Sequence, residues 1–582
     1  MNTAHCKGRR TDIVFFALLA AVLVFALWLA PYGWAGSDEA YYIAEPYRFV
    51  QGDVYFVDDW NCGQLFSFVL LPLMRLYLLL FPSTDGIFLF FRQMFAVAGC
   101  LVSLAVYLRG RRLSPTGALF AGLMLALYAP LSVRSFSYNA MGLWALILAC
   151  MLAITAERHP FLDHVLAGLL LAALVLCCPF AVALVVLYVL AVAAFALARR
   201  DPPFYTLTPR ALLAVLLGAG GLFLVFCAFV LSRASLGELI TAFPYVFRDP
   251  EHRIEPILWL AKNVLYCTLT SAPNSRYILA LCAVLAVAVL LDRGRMRRRA
   301  AYLIAAAVLA GLYCAPFALH NITNELMLPL SILGFFAFLL CEKKQSGLFW
   351  LLFVPGLVYA VCMHHSSSLR YYALCHGFAV CSAASAFFLC RAVQELWEDR
   401  RETGILPRRA ACLLLALALV SQLGLETLAR MQNFFHDEGF AALDTTLEAG
   451  AQKRLITSRE HAAEYAALLR DTESLRQAGG DYVLYVSDAV WPPLSDPKRS
   501  ANNSLWTNYD KPGPSAELLR EYLLLHPEKR PVAIYVTRTL RYTYQADIDG
   551  MVIVDLLNPE DLPVEITETG YILRLSGETE GR

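Results

Sequence analysis

Charge is what this sequence has least of. Only 16% of its 582 residues are Asp, Glu, Lys or Arg, against 59% apolar, and the mean hydropathy is +0.55. Ordinary soluble domains carry about 25% charged residues, so a water-soluble globule is excluded and a polytopic membrane protein is expected. A basic surplus is missing too. The net charge is +1, and the cations are spread among loops, so nothing argues for nucleic acid as a partner. Cysteine is absent after Cys412, which excludes disulfide stapling of the C-terminal part. Cys177–Cys178 lack the spacing of a metal or redox motif and read as small buried hydrophobes. No internal repeat is visible and the apolar runs are almost free of acids, which weighs against an ion-coupled carrier.

What the chain does have is long apolar runs. A spanning helix needs about 20 such residues, and about thirteen candidates follow: 12–32, 87–108, 117–131, 136–156, 161–177, 179–198, 210–231, 276–292, 300–317, 324–341, 347–363, 371–391 and 409–427. "CCPF" (Cys177 to Phe180) is the break between two of them. The run 65–81 is interrupted by Pro72 and Arg75, which suits an interfacial or re-entrant helix. Lys and Arg near span ends set orientation. With the N-terminus cytoplasmic, Lys7/Arg9/Arg10, Arg109/Arg111/Arg112, Arg199/Arg200, the Arg293–Arg299 run, Lys343/Lys344 and Arg400/Arg401/Arg408/Arg409 all fall inside. The first run reads as an uncleaved anchor, because it is too long for a signal peptide and lacks a small-x-small cleavage site.

An odd number of spans places residues 428–582 outside, as a soluble α/β domain. Helical patterns (AALDTTLEAGAQKRL, REHAAEYAALLRDTESLRQ, SAELLREYLLLH) alternate there with strand-like runs (DYVLYVS, PVAIYVT, GMVIVDL, YILRLSG). Trp491, Pro492, Pro493, Trp506, Asn508 and Tyr509 form an aromatic, polar loop region suited to packing or to covering a cleft. Residues 1–427 form the transmembrane domain, with a first outer loop at 33–86.

That loop carries Asp38, Glu39, Glu45, Asp53, Asp58 and Asp59 among aromatics, directly after the first span. Two readings stand. In one it is a connector: Ser37 or Asp38 caps a helix, Asp38 and Glu39 favour its dipole, and Tyr32, Trp34, Tyr41, Tyr42, Tyr47 and Tyr55 form an interfacial belt. In the other the acids do chemistry, since carboxylates held near apolar surroundings are costly. On either reading Glu45 and Asp53 are expected to be solvated, and Arg48 is a salt-bridge partner for Asp38.

A long span ending in "DE" (Asp38–Glu39) and an aromatic helix come first, followed by "GD" (Gly52–Asp53), an interfacial helix, a span ending "YLRGRR" and a third running into "SFSYNAMGLWALIL". This order resembles the GT-C superfamily of integral membrane glycosyltransferases, in particular the protein O-mannosyltransferase and lipid A aminoarabinose transferase branch. The resemblance is strongest over roughly residues 12–200 and continues as topology through 427. It implies a polyprenyl-phosphate-linked sugar donor, transfer to a lipid, polysaccharide or protein acceptor on the outer face of the plasma (inner) membrane, and a role in cell-envelope glycan assembly. It maps the general base onto Asp38, which deprotonates the acceptor hydroxyl in an inverting single displacement. Glu39, Tyr41, Tyr42, Asp58, Asp59, Tyr138 and Asn139 are then substrate-binding candidates. The leaving phosphate needs cations, for which Arg370 with Tyr371 in "HHSSSLRYY", and Lys262, Arg248, Arg253 and Arg276 of the 232–275 loop, are the candidates. Where the aminoarabinose transferases carry an acidic residue, Lys and Pro, this chain reads Gly63–Gln64–Leu65, which removes a phosphate-binding Lys and shifts weight toward Arg370 or the 232–275 loop. No organic cofactor is called for; a divalent cation is left open, although adjacent His364 and His365 diverge on any regular element. The competing class is a polytopic transporter or flippase. A glycan polymerase or ligase would need a larger late outer loop.

Overall fold

The thirteen apolar runs all become helices, but they do not all reach the length of a bilayer. The computed structural model describes residues 2–248, 256–319, 326–367, 369–398, 405–477, 480–486, 490–496, 498–506, 514–537 and 564–575. In chain order the helices are α1 (Asn2–Leu29), α2 (Ser37–Val50), α3 (Phe66–Leu80), α4 (Ile87–Gly110), α5 (Pro115–Leu127), α6 (Tyr138–Ile154), α7 (Pro160–Cys177), α8 (Val182–Leu197), α9 (Pro209–Leu231), α10 (Leu236–Val246), α11 (Ile257–Leu269) and α12 (Ser275–Leu291). They continue as α13 (Arg299–Leu319), α14 (Met327–Leu340), α15 (Ser346–Leu348), α16 (Val354–His365), α17 (Tyr371–Glu398) and α18 (Ile405–Gln432). Among the described residues ten helices are long and apolar enough to cross a membrane, which makes this a multi-pass membrane protein. The shortfall from thirteen lies in α6, α12 and α14, of 17, 17 and 14 residues. At 1.5 Å per residue these reach about 25 Å or less, under the roughly 30 Å of a hydrocarbon core. α6 and α14 are enclosed by other helices instead.

The long helix α17 is the centre of the bundle. It is almost wholly buried and packs against α5, α14, α16 and α18. α8, by contrast, turns most of its apolar surface outward, as a lipid-facing helix does. The break at Cys178 divides α7 from α8 where the "CCPF" stretch predicts it, and α3 is a short helix with Pro72 inside it. Close helix contact in a membrane depends on small residues, and α7 and α9 provide the clearest case. A Cβ on Gly168 would stand 2.0 Å from the Val215 carbonyl oxygen, and one on Gly218 would stand 1.9 Å from that of Val165. The two backbones touch because neither glycine has a side chain.

After α18, which runs past Thr427 to Gln432, come β1 (Thr445–Thr446), β2 (Ile456–Thr457), α19 (Arg459–Arg476), β3 (Tyr482–Val486), α20 (Pro492–Ser495), β4 (Arg499–Ser500), α21 (Pro514–Leu525), β5 (Ala533–Thr537), β6 (Val564–Ile566) and β7 (Gly570–Arg574). A five-stranded sheet has the order β4-β3-β5-β7-β6. β3 runs parallel to β4 and β5, and β7 antiparallel to β5 and β6. The mixed α/β character expected of this region is present, with one correction. AALDTTLEAGAQKRL is not a helix: it holds a short 3-10 turn at Phe440–Ala442, then β1, and Gly450 turns the chain back at φ +68° so that β1 pairs with β2. The GMVIVDL run lies outside the described residues.

This region shares a core with the first loop. Trp60 inserts beside Leu484, Val486, Leu519, Tyr522 and Ile534, stacks on Tyr245 at 4.2 Å and meets Tyr522 edge-on at 5.1 Å. Its backbone N–H donates to the Asn503 carbonyl (2.7 Å), and Ile456 N–H donates to Pro31 O (2.7 Å) while Gly33 N–H donates to Ile456 O (2.8 Å). The start and the middle of the loop are thus sewn to the C-terminal region. Replacing Gly168→Leu should force α7 and α9 apart and cost about 1–3 kcal/mol or more, read as a lower thermal midpoint of the detergent-purified protein, whereas Gly221→Leu, whose Cβ meets nothing, should leave it unchanged.

Candidate active site

The first loop begins where α1 runs out of hydrogen bonds. The last carbonyls of a helix have no intrahelical donor, and here two arginines supply donors. Arg134 Nη1 donates to Leu29 O (2.7 Å), and its Nη2 donates to Tyr32 O. Arg92 of α4 donates through Nη1 to Ala30, Tyr32 and Gly33 (3.2, 3.0 and 3.0 Å) and through Nη2 to Trp34 O (3.2 Å). Arg92 also holds both oxygens of Glu39, each at 2.7 Å. All three side chains are buried. The second acid of "DE" is therefore committed to an ion pair, and that pair aims the first turn of α2.

Asp53, Asp58 and Asp59 are committed as well, which corrects the expectation that Asp53 and Glu45 are solvated and that Arg48 pairs with Asp38. Arg48 donates to Asp53, to Asp59 (3.2 Å), to the Asp58 carbonyl and to the Asn502 carbonyl (2.6 Å). Lys529 lies 2.8 Å from both Asp53 and Asp58, and the Tyr522 hydroxyl donates to Asp58 O (3.0 Å). Burial alone would raise the Asp53 carboxyl, but Arg48 and Lys529 outweigh it and hold it below the usual range. Burial would likewise lower the Lys529 ammonium, yet Tyr522, Asp53 and Asp58 keep it above its ordinary value. Glu45 is fully buried. Burial, then the charge of Asp59, pushes it well above the carboxylate range. Charges taken out of water need such pairing, and the segment supplies it only by borrowing Lys529 from the C-terminal region.

One acid escapes. Asp38 is half-buried, and among the described residues no cation pairs with it. Its Oδ2 lies 3.4 Å from Ser37 Oγ, and burial, only partly offset by Ser37 and its own N–H, raises its carboxyl to about 6. The helix it opens has Gly36 as its first boundary residue, without a side-chain cap. Aromatics wall the site. Tyr42 meets Tyr138 edge-on at 5.5 Å and Phe66 at 5.6 Å, and Trp506 covers Tyr41 at 5.7 Å. Burial, then the neighbouring Tyr138 and Asp38, push the Tyr42 phenol well above its ordinary value. Trp34, Tyr41, Tyr42 and Tyr55 are buried, so they are cleft and core residues and not an interfacial belt. Asn139, beside Tyr138, is buried with no partner for Oδ1 among the described residues.

The candidate phosphate cations separate by what already holds them. Arg370 is exposed at φ +54°, and its carbonyl meets His364 Nδ1 at 3.1 Å. Tyr371 is buried and accepts from Tyr313 (2.9 Å), which in turn meets Ser271 Oγ after α11 at 2.5 Å. Lys262 of α11 is exposed, 4.8 Å over the Trp259 ring. Arg248 is engaged by Glu521 at 2.6 and 3.0 Å, and Arg276 lies over Tyr277. Arg253, Asn508 and Tyr509 lie outside the described residues. At the departure Gly63–Gln64–Leu65, Gln64 faces inward: it accepts from Phe56 N–H (2.8 Å) and donates to the Asp59 and Asn61 carbonyls (2.9 and 2.7 Å). It holds the loop together and has no charge to offer a phosphate.

Sequence reasoning missed Arg92, Arg134, Lys529 and His436. Arg92 had a signal: a lone cation inside an apolar run demands an acidic partner. Lys529 and His436 had none, being distant in sequence from what they touch.

No protein-family model matches this chain, and no curated protein matches it. Among solved structures it is similar to ArnT from Cupriavidus metallidurans bound to undecaprenyl phosphate, at 12% identity over 97% of this chain and 98% of that one, TM-score 0.48. It is similar to the Archaeoglobus fulgidus oligosaccharyltransferase tethered with an acceptor peptide containing the NVT sequon, at 13% identity over 89% and 68%, TM-score 0.45. It is also similar to the archaeal oligosaccharyltransferase AglB from Archaeoglobus fulgidus in complex with an inhibitory peptide and a dolichol-phosphate, at 14% identity over 96% and 74%, TM-score 0.42. These are distant similarities of shape.

Arg48→Met should cost about 3–5 kcal/mol by leaving buried carboxylates unpaired; a large drop in thermal midpoint checks this, against little change for Asp38→Asn, which removes no ion pair.

Proposed function

We propose that the protein is a GT-C-type glycosyltransferase that moves a sugar from a polyprenyl-phosphate donor to an acceptor hydroxyl, with Asp38 as general base. The observation that carries this reading is the isolation of Asp38. Of six carboxylates in one loop, four are held by cations and Glu45 lies buried with its carboxyl pushed up by burial and Asp59, while Asp38, among the described residues, is paired with no cation and lies beside Tyr42 and Tyr138. A base works best with its pKa near the working pH, and a value of about 6 leaves Asp38 ionised at neutrality yet basic enough to accept a proton. Attack from the side opposite the leaving phosphate inverts the anomeric centre and asks for no carboxylate nucleophile. Tyr42, Tyr138 and Asn139 then contact the sugar or acceptor. Glu39, Asp58 and Asp59 act one step removed, by fixing the loop.

The basic flanks of the alternate loops support a reading in which this end of the bundle is outside and the N-terminus cytoplasmic, and the resemblance to GT-C enzymes supports the plasma (inner) membrane as its place. Residues 1–427 are read as the catalytic membrane domain and 428–582 as an extracytoplasmic domain clamped over its first loop. Arg370, with Lys262 as a second cation, receives the donor phosphate, since Arg248 is already neutralised by Glu521.

Purified full-length protein in lipid nanodiscs, given a panel of undecaprenyl-phosphate-linked hexoses and pentoses, should release undecaprenyl phosphate from one of them. Asp38→Asn should lower that turnover about 10²–10⁴-fold with the fold intact; near-normal turnover would sink the assignment. Because the working form is the carboxylate and its pKa is raised, activity should fall tenfold per pH unit below about pH 6. Arg370→Ala should weaken undecaprenyl phosphate binding about tenfold or more, the loss of one charge-assisted contact, with Arg370→Lys recovering part of it; native mass spectrometry of the lipid complex reads both.

A further inference from the structure

Asp38 cannot act twice unless its proton leaves. The structure offers a path on the flank of the carboxylate. Ser37 Oγ, 3.4 Å from Asp38 Oδ2, also lies 3.2 Å from His436 Nδ1. His436 comes from the segment after α18, almost 400 residues along the chain, and is half-exposed. Two features show that the contact is built rather than incidental. Ser37 and His436 both have positive-φ backbones, at +38° and +59°, a conformation uncommon for non-glycine residues and held by their surroundings. The imposing contacts are visible: the Phe435 ring stacks on His436 at 3.9 Å, and Asp437 is pinned by Trp34 N–H (2.5 Å), Thr457 Oγ1 (2.6 Å) and His461 Nδ1 (2.8 Å). His461 in turn stacks on Trp34 at 5.3 Å. Among the described residues nearby, Asp437 is shared with His461, and Arg134 and Arg430 donate to the Leu29, Tyr32 and Leu127 carbonyls.

We propose that Ser37 and His436 form the proton-exit relay of Asp38. The inference rests on the reading of Asp38 as base. As the acceptor oxygen bonds to the anomeric carbon, the bond from that carbon to the phosphate oxygen breaks and its electron pair leaves with the phosphate, while the acceptor proton passes to Asp38. The carboxyl turns its O–H toward Ser37. Its proton moves to Ser37 Oγ as the Ser37 hydroxyl proton moves to His436 Nδ1, and the imidazolium releases a proton to the solvent it borders. The carboxylate is restored with one proton delivered to water. In this scheme Ser37 and His436 act through Asp38 and not on the substrate, so they are positioning and relay groups.

The test uses the full-length protein in nanodiscs and needs no sugar. The infrared band of the protonated Asp38 carboxyl is identified by its loss in Asp38→Asn, and its relaxation is followed after a photochemical pH jump. Ser37→Ala and His436→Ala should each slow that relaxation about tenfold or more, the lower part of the range for a positioned proton-transfer group. Added imidazole should restore the rate in His436→Ala and not in Ser37→Ala. Unchanged relaxation in either variant, or a slowing that imidazole does not relieve in His436→Ala, overturns the relay. Turnover with the donor found in the panel separates the two ideas. If Asp38→Asn is inactive while His436→Ala keeps full kcat, the base stands and the relay falls. If His436→Ala lowers kcat about tenfold with the donor KM unchanged and imidazole restores it, the relay is supported. If Asp38→Asn still turns over, the base reading itself fails whatever the relaxation shows.

Discussion

Everything at the loop end of this protein hangs on one buried guanidinium. Arg92 closes the carbonyl end of α1 and grips both oxygens of Glu39 at once. It thereby sets the angle between a spanning helix and α2, which lies across its end. An arginine suits this because its planar fork makes several directed bonds from one fixed charge. Taken alone, Arg92 inside α4 would be an expensive intrusion into an apolar environment. Paired with Glu39 and four carbonyls, it becomes the reference point from which Asp38, one residue earlier, takes its position.

A second layer of pairing fixes the rest of the loop and explains why the C-terminal region sits where it does. The acids at 45, 53, 58 and 59 exceed the local cations, since Arg48 is the one basic side chain in that segment. The imbalance is relieved by Lys529, which reaches both Asp53 and Asp58, while burial and the charge of Asp59 push the Glu45 carboxyl up. Trp60 supplies the apolar counterpart, entering a core otherwise made by β3, β5 and α21. The C-terminal region is thus neither a loose appendage nor an independent covering: it completes the charge balance and the packing of a loop that could not be stable alone. Rigidity of this kind holds the position of Asp38, which the proposed role as base requires.

Much of this was legible in the sequence, and the rest was hidden for identifiable reasons. The bilayer segments could be read because a membrane imposes one simple demand, apolar length. Of the exceptions, α6 and α14 are short runs enclosed by neighbouring helices, whereas α12 is short and largely exposed. The pattern of strands and helices after Gln432 was mostly readable from period 2 and period 3.6, and failed at 441–455, where Gly450 turns the chain and the apolar spacing imitates a helix. For the acids, resemblance singled out Asp38, but composition could not say which of the six were free. Glu45 and Asp53 look solvated in sequence and are buried in fact, and Arg48 lies ten residues from Asp38 yet faces the other way.

The sequence by itself determined that this chain crosses a membrane many times, where its helices run and that acids gather after the first of them, because those properties depend on local composition and hydrophobic length. Only the tertiary structure decided which acid is available. Ion pairing and burial depend on partners brought from residues 92, 134, 436 and 529, and no local pattern around Asp38 records their approach.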